Sequence, residues 1–257
     1  MSSTTERLTE IVSHGLVAGV GQPRPGELCI EAAICLAIGE PHGDKPSCVH
    51  TTDRAYAIAI NDAPWPSPQA RAEALLPLGL AQLGTAGRDR SAWLAALVDG
   101  TARRVVPMWL RRAADIGEPS MGAAWAAPLR AAADDCADRG VGALGAAADD
   151  AAASAAASAS ASASASAAAA SAAASAAAAY AFAYAAADDA AYAAAYAAYA
   201  ATAAAAATAA AAVADADDAA YADAYATYAA NAVADSSVQA ILRESVRVAL
   251  DAYGVAP

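Results

Sequence analysis

Between Ala146 and Tyr253 the chain has neither glycine nor proline, and between Gly140 and Leu242 it has neither lysine nor arginine. The first absence removes both strong helix breakers over more than a hundred residues. The second excludes phosphate-backbone recognition there, because nothing offsets the repulsion of the acidic side chains. Phenylalanine is nearly missing as well, so aromatic area must come from 10 tyrosines and 4 tryptophans. The four cysteines include no C-x-x-C pair, which excludes the common redox and zinc-ribbon spacings. Met1 to Leu16 lacks the basic start and apolar run of a secretory leader, so a cytoplasmic location with reduced thiols is expected. Ser, Asp and Tyr interrupt the alanine tract, and alanine is only weakly apolar, so no membrane span is expected.

What fills the second half is alanine, the best helix former. The alternating Ser-Ala run from Ser158 to Ser166 has the period of a strand, but its small side chains cannot fill a pleated surface. The reading is helix throughout. Asp188–Thr202 (DDAAYAAAYAAYAAT) and Asp217–Asn231 (DDAAYADAYATYAAN) form an internal repeat. Tyr192, Tyr196 and Tyr199 recur as Tyr221, Tyr225 and Tyr228 at i, i+4, i+7, which makes one stripe per copy. These stripes are the candidate contact surface for neighbouring helices, a protein partner or a second copy of the chain. One unbroken helix over 149–235 would span about 130 Å. Asp-Asp pairs open both repeat copies and can cap helix starts, which favours a folded bundle over a single stalk.

The formal net charge of −12 is uneven. Residues 1–139 carry 13 basic and 16 acidic groups, and residues 140–257 carry 2 and 11. The expected architecture is therefore all-α in two parts: a helical module over 1–139 and an alanine-rich acidic bundle over 140–257.

In the first part, Ser3-Thr4-Thr5-Glu6 fits a capping box ahead of an amphipathic helix. Gly26–Ile38 reads as a second helix stopped by Gly39. Residues 53–60 fit strand or helix equally. Ser67-Pro68 opens a helix in which Pro77 is expected to make a kink or break. Further helices follow from Asp89 or Ser91, through Trp109, over Met121–Asp138, and at the far end after Ser236. Arg103, Arg104, Arg111 and Arg112 cluster; a solvated face or pairing with the acidic second half is the expectation for them, and a phosphate or nucleic-acid patch is the alternative.

Reactive chemistry concentrates between Cys29 and His50, in Cys29, Glu31, Cys35, His42, Asp44, Cys48 and His50. Three readings stand side by side. The cysteines are small core residues. Alternatively, Cys29, His42, Cys48 and His50 supply four zinc ligands. Or Cys29, at a helix start where the dipole lowers a thiol pKa, is a hydrolase or transferase nucleophile with His42 as base and Asn61 as orienter.

The stretch CIEAAICLAIGEPHGDKPSCV, with Asn61-Asp62-Ala63 after it, resembles the opening module of uncharacterised bacterial and phage-borne proteins with alanine-rich tails. The alanine-rich half is similar in composition to immunity proteins of bacterial toxin systems. These resemblances imply an immunity-like or phage–host setting and carry no site residues. The leading expectation is a non-enzymatic, acidic, helical interaction protein that binds or masks a protein partner, basic in character, with no cofactor. The thiol enzyme and the zinc-stabilised module stand as alternatives.

Overall fold

The structure is a computed structural model; it describes residues 3–143, 146, 150 and 236–255. The tyrosine stripes (Tyr192, Tyr196, Tyr199, Tyr221, Tyr225, Tyr228), the repeat and the choice between bundle and stalk lie outside the described residues.

The first four helices start where a side chain takes an orphan backbone N–H. Ser3 and Glu6 form the reciprocal box that opens α1 (Thr4–Ser13). Cys29 caps α2 (Ile30–Ile38), His50 caps α3 (Thr51–Asn61) and Ser67 caps α4 (Pro68–Gln82). α2 begins later than its glycine suggested. Gly26 takes a left-handed turn (φ +82°), and Leu28 bridges back to Gly21, so these residues form a short extended return. Gly39 ends α2 in the left-handed conformation, as expected. Residues 51–61 are helical, and Pro77 lies inside a continuous α4.

α5 (Ser91–Gly100) runs through a wider π-helical turn (Thr101–Val105) into α6 (Val106–Met121). α7 (Ala123–Arg139) packs back on α6, followed by a 3-10 turn at Gly140–Ala143. The last described helix, α8, spans Ser236–Ala252. The described residues are all helix, turn and loop, without a sheet.

Two cores result. Leu8, Leu16, Ile30, Ile34, Ile60, Leu75 and Leu97 centre the larger one, and Val238, Ile241, Leu242 and Val248 of α8 are buried in it. α8 therefore belongs to the same core as α1–α5, and the boundary expected at 139/140 does not separate it from the first module. Its seating is close: a Cβ on Gly100 would meet Val248 at 2.7 Å. The Tyr56 hydroxyl donates to the Ser245 carbonyl (2.8 Å), and the Gln239 amide donates to the Pro64 carbonyl (2.8 Å). Arg104 pairs with both Glu244 and Asp251. The smaller core, between α6 and α7, is mostly alanine, with Leu110, Leu129 and Cys136. Of the arginine cluster, Arg104 pairs with carboxylates of α8 as expected and Arg112 donates to the Ser237 hydroxyl there, whereas Arg103 and Arg111 pair with Asp99 and Asp134 nearer in sequence.

Candidate functional site

The N-terminus of α2 faces a small cavity. Cys29, Asn61, Asp44 and Asp62 line it together with Gly19 and Ile58, and it holds about 60 Å³, room for roughly two waters. Two members of the expected catalytic set, Cys29 and Asn61, are thus brought together. Their roles there are structural. The Cys29 sulfur accepts the Ala32 N–H (3.3 Å) as a helix cap. Burial pushes its thiol up to about 11, and the capping N–H only partly offsets that. The helix-start lowering expected from sequence is therefore overridden by desolvation.

Asn61 is fully buried and spends its amide on the fold. It accepts from Ile30 N (3.1 Å) and donates to the Val17 carbonyl (2.8 Å) and to Asp62 (2.9 Å). Arg71 completes this staple by donating to the carbonyls of Asn61 and Leu16, each at 2.8 Å. His42 lies exposed on the loop after α2 and is not among the residues lining the cavity.

The zinc reading meets a similar correction. The His50 Nδ1 accepts the Thr52 N–H (3.2 Å), so that atom serves as a helix cap. With His42 exposed and the Cys29 sulfur capping α2, the set Cys29, His42, Cys48 and His50 is not gathered. Among the described residues no three His, Cys, Asp or Glu side chains converge as metal ligands. All four cysteines are free thiols, and burial raises the pKa of each.

A second centre lies one helical step away. Glu31, the second residue of α2, turns inward and is completely buried. Asp53 from the first turn of α3 is buried beside it. Gln82, the last residue of α4, is also buried there. Arg90, just before α5, pairs with Asp53 at 2.9 Å. Its guanidinium lies 4.6 Å from the Trp93 ring and 4.7 Å from the Tyr253 ring, a double cation–π arrangement. Tyr253 arrives from the end of α8, and its ring is 5.3 Å from Trp93.

The hydrogen bonding of this centre is incomplete. Among the described residues, eight buried side-chain N or O atoms have no hydrogen-bond partner, and seven belong to it. They are both oxygens of Glu31, one each of Asp53 and Gln82, Arg90 Nη2, Trp93 Nε1 and the Tyr253 hydroxyl. Burial raises Glu31 to about 8; the charge of Arg54 and a hydrogen bond from the Gln82 side chain pull the other way, and the charges of Asp44 and Asp53 add to the rise. Burial, then the charge of Asp53, raises the Tyr253 phenol. At neutral pH Glu31 is therefore mostly a neutral acid, able to give up a proton when a cation approaches.

Sequence reasoning placed Glu31 among the Cys29–His50 residues without assigning it a task. The available signal was a lone carboxylate inside the apolar run CIEAAICLAI. Arg90, Trp93 and Tyr253 were missed, because Arg90 and Trp93 meet Asp53 and Tyr56 of α3 only in the folded chain and Tyr253 arrives from the end of α8.

Comparison with protein-family models, with curated proteins and with solved structures gives no match for this chain. No helix among the described residues is long and apolar enough to cross a membrane.

Proposed function

We propose that the chain is a non-enzymatic interaction protein whose helical module presents an acidic tract to a protein partner with a basic surface. The observation that carries this reading is the anchoring of α8. The stretch 144–235 is flanked by α7 and by α8, and both flanking helices pack on the same module. That stretch holds nine aspartates and no lysine or arginine. Six arginines of the module, Arg90, Arg103, Arg104, Arg111, Arg130 and Arg139, pair with carboxylates of the described residues. The tract carries no basic residue of its own to offset its aspartates, and flanking helices that are already seated limit the freedom lost on binding. The repeated tyrosines supply apolar area beside those charges. The resemblances noted above suit an immunity-like or phage–host setting for such masking.

The burial of Cys29 weighs against the thiol-enzyme alternative. The test is affinity capture with the full chain, beside a variant carrying Asn at the nine tract aspartates. The reading expects basic proteins, released as salt rises well past physiological strength, and captured roughly ten-fold less by the variant. Capture that survives both salt and substitution overturns it.

A further inference from the structure

The centre around Glu31 joins distant parts of the chain. Glu31 comes from the first turn of α2, Asp53 from the first turn of α3 and Gln82 from the end of α4. Arg90 and Trp93 come from the start of α5, and Tyr253 follows α8 directly. Glu31, Asp53 and Gln82 are sealed from solvent, and Trp93 nearly so. Of these six residues only Arg90 and Tyr253 reach the surface. The Tyr253 ring closes that end, 5.3 Å from Trp93 and 4.7 Å from the Arg90 guanidinium.

With Glu31 protonated, the centre holds one carboxylate, Asp53, and the cation bonded to it, Arg90, at 2.9 Å. The groups that act on Glu31 come from every side. α3 brings Asp53 and Arg54, the loop after α2 brings Asp44, α4 brings the neutral Gln82, and the end of α8 brings the Tyr253 phenol. Burial keeps the nearby thiols of Cys29, Cys35 and Cys48 neutral. Arg54 attracts Glu31 through its charge, but burial outweighs it, and Asp44 and Asp53 repel. Loss of the Glu31 proton therefore sets a second carboxylate beside Asp53 in a space closed to solvent. Water relieves a buried ion of that kind. Its shortest entry is the end held by Arg90 and Tyr253. Arg90 is fixed by Asp53 and by both rings. Tyr253 lies just past the last turn of α8, followed by Gly254 in a left-handed turn (φ +71°) and by exposed Val255. It is the part free to yield.

We infer that the Glu31 centre is a proton-operated latch on α8: neutral Glu31 lets Tyr253 close over the centre, and the Glu31 carboxylate drives the end of α8 outward to admit water. Titration of Glu31 near 8 puts the change just above neutral pH. Because α8 is one of the two helices that flank the acidic tract, the latch makes the seating of that tract depend on pH. This last consequence rests on the function proposed above. The latch itself needs no partner, so its test and the capture experiment fail independently.

The test is native-state hydrogen exchange of the full chain at about pH 6 and about pH 8, in low concentrations of urea. It is read over residues 250–255 and corrected for the change in intrinsic exchange rate. The opening constant there should rise about ten-fold or more between the two pH values. The opening should depend only weakly on urea, which marks a local event rather than global unfolding. Glu31→Gln should abolish the rise. Tyr253→Ala, which opens the surface end in advance, should cut it to about three-fold or less; this variant decides the matter if Glu31→Gln does not fold. An unchanged opening constant in the parent, exchange only through steep global unfolding, or the full rise in whichever variant folds overturns the latch.

Discussion

Asn61 and Glu31 are both completely buried, both sit at the ends of helices, and the same small module treats them in opposite ways. Around Asn61, donors and acceptors close on one another: Ile30 N, the Val17 carbonyl and Asp62 take the amide, and Arg71 takes the backbone carbonyl. Around Glu31, seven polar atoms are buried without partners, and the carboxyl is held near pKa 8. Asn61 ties the loop before α2 to the end of α3, which is a task of folding. Glu31 makes no ion pair among the described residues, and the burial of its charged form works against stability. The difference shows that buried polarity in this chain is of two kinds, and only one is explained by the fold.

The comparison is broken most sharply by titration. The folded pKa of Glu31 lies above its ordinary value of 4.5, at about 8. Below 4.5 both folded and unfolded chains hold the proton, and Glu31 costs nothing. As pH rises from 4.5 to 8 the unfolded chain gives up its proton first, so stability falls through that window, and the loss is complete above 8. Relative to Glu31→Gln, the parent should lose about 5 kcal/mol across it, measured by urea denaturation at a series of pH values. Parallel curves for the two proteins would remove the distinction between the centres.

Next in size is Asn61→Ala. It leaves Ile30 N and the Val17 carbonyl without partners and should cost about 3 kcal/mol, seen as a lower urea midpoint at unchanged slope. A loss under about 1 kcal/mol would mean that the staple is not what holds α2 to α3. Tyr56→Phe removes one buried bond to α8 and should cost about 1 kcal/mol by the same measurement. The smallest effect belongs to Arg104→Gln. Its pairs with Glu244 and Asp251 are partly exposed, so about 0.5 kcal/mol is expected, vanishing at high salt.

The staple and the centre were unequally legible in the sequence. Local signals carried the helix plan: the Ser3–Glu6 box, Gly39 as a stop and Ser67-Pro68 as a start are all where they were read. Local signals failed where the chain folds back on itself. The bridge from Leu28 to Gly21 delays α2 past Gly26, and no propensity encodes such a contact. Cys29 and Asn61 line one cavity, but the rise that burial gives the thiol pKa was not legible, because residue type does not report burial. The Glu31 centre needs Arg90 from a loop and Tyr253 from the far end of the chain. Their meeting depends on α8 seating against Gly100 and Tyr56, and α8 read alone is simply an amphipathic helix. The two-part division failed at α8 for the same reason: composition assigned it to the acidic half, and packing assigns it to the module.

The account rests on Glu31 being a desolvated carboxyl without a cation paired to it among the described residues. A site-resolved NMR titration of its carboxyl carbon in the full chain tests that most directly. A midpoint near 8 is the predicted result. A midpoint near the ordinary 4.5 would mean that the carboxylate is solvated or paired, and the contrast with Asn61 would not stand.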